Sequence, residues 1–149
     1  MYIFLDFDGV THPVSANGKY FRESCLKSLL LGMVDGIDDL HIVITSTWRL
    51  DKSLQELTEY LGPIGKYVES VTPEINEPFF KYIRQLEVER YILEQNIAHH
   101  PWVAIDDTPA FYRPDAPLIC TDGTTGFTQR DARKLKSLLL EIRRCEEIR

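Results

Sequence analysis

The chain opens on a run that fixes much of what can follow. Tyr2-Ile-Phe-Leu5 is apolar throughout and passes directly into Asp6-Phe-Asp8-Gly9. Four such residues in succession predict a strand buried on both faces, which is the signature of a parallel sheet. Side chains alternate along a strand, so Asp6 and Asp8 share a side only while the backbone stays extended. Gly9 then allows a sharp turn. Two carboxylates therefore sit at the carboxyl end of a central strand, where open α/β sheets hold their ligands. Such a pair suits a hard divalent cation, and one of the two could attack an electrophile. An EF-hand loop does not fit, because Val10-Thr-His-Pro13 follows where further acidic ligands are required.

The same logic recurs downstream. Leu40-His-Ile-Val-Ile44 runs into Thr45-Ser46-Thr47-Trp48-Arg49, and Trp102-Val-Ala-Ile105 runs into Asp106-Asp107. Three apolar strands that each end in a polar cluster would converge on one crevice of a small parallel sheet. Adjacent carboxylates repel unless a positive charge offsets them, so the Asp106-Asp107 doublet points to a cation.

Between these strands the pattern is helical. Helices are predicted over about Arg22 to Met33, Leu50 to Tyr60, a start between Pro78 and Gln85 running to Asn96, and Thr128 to Arg143. Tyr67 to Val71 and Pro117 to Cys120 read as short strands. Asn17-Gly18 is a hairpin signal, so a small β-flap is expected over the first strand end. The whole describes an α/β, Rossmann-like three-layer fold with a mostly parallel sheet and no large cap, as one domain over residues 1–149.

The bulk composition narrows the function classes. With 149 residues, 44% hydrophobic and 27% charged, the chain can bury a sizeable core. No apolar run is long enough to span a bilayer, and no signal peptide is expected ahead of the first strand. Three cysteines without paired spacing favour reduced thiols and a cytoplasmic setting. A net charge of −6 argues against an extended nucleic-acid-binding surface, though not against binding of a nucleic-acid end.

Asp6-Phe-Asp8-Gly9, Thr45 (or Ser46) after the second strand, a cation near a helix start, and Asp106-Asp107 resemble in order and spacing the four motifs of the haloacid dehalogenase (HAD) superfamily. Asp6-Phe-Asp-Gly-Val-Thr-His12-Pro13, Thr45-Ser-Thr-Trp48-Arg49, Arg84-Gln-Leu-Glu87-Val88 and Gly126-Phe127-Thr128 are similar to a capless branch that includes phosphatase-like domains of RNA-repair proteins. The resemblance implies a Mg2+-dependent phosphatase with an aspartyl-phosphate intermediate. Asp6 would be the nucleophile and Asp8 the general acid and base. Mg2+ would be held by Asp6, the Asp8 carbonyl and Asp107, with Asp106 nearby. Thr45 would contact the phosphoryl group, with Ser46 as the competing alignment.

Arg84 is the choice for the third-motif cation, because Arg84-x-x-Glu87 opens the helix before the Trp102 strand; Lys81 is its rival. Arg49 is expected either to hold the substrate or to pack on Trp48. An uncapped site would accept a bulky phosphomonoester such as a nucleic-acid end or a nucleotide. The competing reading is a catalytically inactive phosphate-sensing domain that retains the metal site.

Overall fold

The computed structural model describes residues 1–15, 21–33 and 39–148. Five strands form one sheet in which every pairing is parallel: β1 (Tyr2–Leu5), β2 (His41–Ile44), β3 (Val68–Val71), β4 (Trp102–Asp106) and β5 (Leu118–Cys120), in the order β3-β2-β1-β4-β5. The order reverses at β1, so the sheet's switch point lies at its middle strand, which carries Asp6 and Asp8 at its end.

Alternation along the strands sorts the core into two layers. Ile3, Leu5, Ile42, Ile44, Val103 and Ile105 face one side, where Leu29 of α1 (Glu23–Gly32), Leu57 of α2 (Leu54–Tyr60) and Leu135 and Leu139 of α4 (Gln129–Ile148) cover them. Tyr2, Phe4, Val43 and Ala104 face the other side, against Val88 and Tyr91 of α3 (Ile83–Glu94) and Tyr112. This is the expected three-layer α/β arrangement. Among the described residues only α1 separates β1 from β2, and no lid domain is inserted. The expected flap at Asn17-Gly18 lies outside the described residues.

Element boundaries differ from expectation where local hydrogen bonds decide them. The second helix was expected from Leu50, but Thr47–Leu50 is a tight helical turn and α2 starts at Leu54. Ser53 caps it, its Oγ accepting from the Glu56 amide at 3.1 Å while Glu56 accepts from the Ser53 amide at 3.2 Å. The last helix runs on to Ile148, past the expected end at Arg143, because its polar residues there can stay solvated. At its start the Asp131 carboxylate reaches back to accept from the Thr128 amide at 2.9 Å.

Candidate active site

The site is built by strand register. Leu5, Ile44 and Ile105 are cross-strand partners, and the ladder continues one step further: the Asp6 amide donates to Ile105 O and the Thr45 amide to Leu5 O. Asp6, Thr45 and Asp106 therefore stand in one row across three adjacent strands. Each is two residues beyond Phe4, Val43 and Ala104, so their side chains lie on the α3 side of the sheet. The first turn of α3 contributes Arg84 there.

One carboxylate oxygen each from Asp6, Asp106 and Asp107 lie within 4.8 Å of one another. Asp6 and Asp106 are buried, and this has a cost. Burial, and then the charge of Asp106, push the Asp6 carboxyl well above its ordinary range, while the Phe7 amide and Arg84 pull it back. Burial likewise pushes Asp106 up to about 7, partly offset by the Thr108 amide and Arg84. Asp106 Oδ2 has no hydrogen-bond partner. Three convergent carboxylates with an unpartnered oxygen fit a hard divalent cation. The space is reserved by Gly9, at φ +77°, and by Gly123: a Cβ at either would strike the Asp107 carboxylate.

These shifts have a measurable consequence without metal. A carboxyl whose folded pKa is raised binds more protons folded than unfolded, so stability falls as pH rises from its unfolded value through its folded one. For Asp106 that window runs from about 4 to about 7. The melting temperature of the metal-free protein is expected to drop by several degrees between pH 5 and pH 8, and Mg2+ to restore it most at pH 8. Thermal scans with EDTA and with Mg2+ at both pH values test this; a metal-free midpoint that rises across the window sinks it.

Asp8 stands apart from the three-carboxylate cluster. Its side chain is half exposed, with Oδ1 2.9 Å from His12 Nε2 and Oδ2 accepting from the Trp48 indole N–H at 3.2 Å. Thr45 Oγ1 is fully buried and has no partner, leaving it free to bind something in the site. Ser46 is buried too, but its Oγ accepts from the Trp48 amide at 3.3 Å and caps the Thr47–Leu50 turn.

Of the two roles expected for Arg49, holding the substrate or packing on Trp48, its hydrogen bonds do not support the first. Its guanidinium turns inward, where Nε donates to Thr72 O, Nη1 to Thr45 O and Ser46 O, and Nη2 to Pro73 O and Glu87. All five of its N–H groups are thereby used. The residue ties the end of β2 to the end of β3 and leaves no donor for a substrate.

Glu87 is the residue whose importance the sequence least suggested. It is 2% exposed and accepts from Arg49 at 2.7 Å, from Arg84 at 2.7 Å and from the Ile75 amide at 3.1 Å. It orients Arg84, whose charge acts on both Asp6 and Asp106. The Arg84-x-x-Glu87 spacing carried half of this signal. Lys81, the rival cation, sits over the Tyr82 ring at 5.4 Å. Tyr112 was also missed: its hydroxyl is buried without a partner, and burial, then Asp106 and Asp6, push its pKa up.

A parallel α/β sheet with this acidic row at the switch strand defines a HAD-type domain. A family model described as the HAD domain in Swiss Army Knife RNA repair proteins matches residues 2–132, and the chain belongs to that family. Membership carries phosphatase-type activity in general and a phosphorylated substrate. Comparisons with curated proteins and with solved structures find no match. Among the described residues no helix is long and apolar enough to cross a membrane.

Proposed function

We propose that the chain is a Mg2+-dependent phosphomonoesterase that works through a phosphorylated Asp6. The observation that carries this is the convergence of Asp6, Asp106 and Asp107 at the switch strand beside the unpartnered Thr45 hydroxyl. Asp6, the Asp8 carbonyl and Asp107 would hold the cation, with Asp106 beside them. When bound, the cation offsets the repulsion between an attacking carboxylate and a phosphate dianion.

The other steps belong to the chain's own side chains. Asp6 attacks phosphorus and the ester oxygen departs, taking a proton from Asp8. Asp8, then a carboxylate, accepts a proton from the water that cleaves the Asp6 acyl phosphate. Thr45 donates to a phosphoryl oxygen, and its lack of any protein partner favours it over the capping Ser46 for this role. Arg84, held by Glu87, supplies positive charge at the site floor and suits the third-motif role better than Lys81.

The absence of an inserted lid among the described residues favours a bulky ester, and the family's connection to RNA repair favours a nucleic-acid end or a nucleotide. The test is hydrolysis with Mg2+ and with EDTA of p-nitrophenyl phosphate, 3′- and 5′-phosphorylated RNA and DNA ends, nucleotides and sugar phosphates. Mg2+-dependent release of phosphate, strongest on a nucleotide-containing ester, is expected. No release from any of them overturns the reading in favour of a phosphate-sensing domain.

A further inference from the structure

The described geometry leaves one residue of the proposed reaction with unexplained neighbours. Asp8 does not join the acidic cluster; a buried histidine and an indole hold it from the side. We propose that His12 and Trp48 are positioning residues that aim the Asp8 carboxyl at the leaving-group oxygen. This rests on the phosphatase reading but adds to it roles for two side chains.

Trp48 can only donate, so Asp8 Oδ2 is its acceptor. For His12 the partner itself indicates which nitrogen carries a proton. Its Nδ1 lies 3.2 Å from Thr11 Oγ1, whose hydroxyl donates to Phe7 O at 3.1 Å. Its Nε2 faces Asp8 Oδ1 at 2.9 Å, and an ionised carboxylate can only accept. That puts a ring proton on Nε2. One fixed donor on each oxygen sets both the position and the plane of the carboxylate. Each oxygen keeps a second lone-pair direction for the proton it must give or take.

The holders are themselves held. His12 is 2% exposed and stacks on Phe21 at 5.5 Å and 17°, and Trp48 meets Phe7 edge-on at 5.6 Å. His12 and Trp48 also touch each other, with ring centroids 5.6 Å apart. A half-exposed aspartate would otherwise sample several rotamers, and proton transfer needs one of them. The hydrogen bonds of both rings to the acidic residues go to Asp8, so what they set is the proton donor rather than the nucleophile.

The test uses two esters of similar shape. p-Nitrophenolate leaves with little help from a proton, whereas the alkoxide of benzyl phosphate needs one. The variants are Trp48→Phe, which keeps a ring without the N–H, His12→Phe, and His12→Gln, which restores an N–H near Nε2. For the first two, kcat/KM for benzyl phosphate relative to p-nitrophenyl phosphate should fall about ten- to a hundredfold, and His12→Gln should recover much of the loss. An equal loss on both esters, or an unchanged ratio, overturns the proposal.

A second measurement does not depend on turnover. In the metal-free protein the indole N–H resonance that Trp48→Phe removes should shift toward its solvent-exposed position on Asp8→Ala. No movement of that resonance also overturns the proposal. A wild-type protein inactive on both esters sinks the phosphatase reading instead, and the resonance alone then decides whether the clamp exists.

Discussion

Asp6→Asn is expected to reduce Mg2+-dependent hydrolysis of p-nitrophenyl phosphate to background while leaving the fold intact. The amide has nearly the shape of the carboxylate and can still accept from the Phe7 amide, which supports the Asp6 carboxylate. It cannot form an acyl phosphate under these conditions, so a loss of at least about a thousandfold follows if Asp6 is the nucleophile. The same change removes one charge from a buried acidic group. The variant should therefore melt no lower than the wild type at pH 8 without metal, and Mg2+ should stabilise it less. Full activity in a folded Asp6→Asn protein would falsify the assignment.

Glu87→Ala should be the most destabilising single change at the site that leaves the acidic row untouched. It deletes the carboxylate shared by Arg49 and Arg84, whose side chains are 2% and 14% exposed. The two guanidinium groups would then lose the carboxylate that lies between them, and Arg49 would keep only backbone carbonyls as hydrogen-bond partners. Breaking a buried pair from one side typically costs about 3–5 kcal/mol, because the remaining charge is desolvated and unpaired. For a chain of this size that corresponds to a midpoint lower by roughly 10 °C. Urea denaturation followed by circular dichroism measures it. A loss below about 1 kcal/mol would show that the arginines find other partners and that Glu87 does not hold Arg84 in place.

How much of this was readable from the sequence depends on how local each determinant is. The row of Asp6, Thr45 and Asp106 was readable because each directly follows an apolar run. That they stand side by side follows from the register of Leu5, Ile44 and Ile105, which no local pattern encodes. Ser53-x-x-Glu56 was a complete helix-start signal, and it outweighs the apolar Leu50 that suggested an earlier start. For Arg49 two roles stayed open, substrate contact and packing on Trp48, for a physical reason. Its position just past a strand end allowed the first, but carbonyls from the end of β3, 23 and 24 residues away, use its donors. The partnership of Trp48 with Asp8 spans 40 residues and follows no periodicity, so only the folded chain reveals it. Tyr67 to Val71 was readable as a strand, but the tight helical turn over Gly62–Tyr67 that leads into it carries little patterning.

The Arg49–Glu87–Arg84 contact bears on the order in which the site can come into being. Its members hang from the turn after β2 (Arg49) and from the start of α3 (Arg84 and Glu87), with Arg49 and Glu87 38 residues apart across β3, so the contact closes only when these elements have come together. A nascent or partly unfolded chain can present Asp6 and Asp8 on β1 but cannot yet orient Arg84 toward Asp6. The acidic strand end is thus chemically incomplete until β1, β2 and α3 have packed together, and a copy lacking that packing would hold carboxylates without the cation that tunes them. Turnover should consequently track the fully assembled state, making recovered activity a stricter report of refolding than recovered helix content.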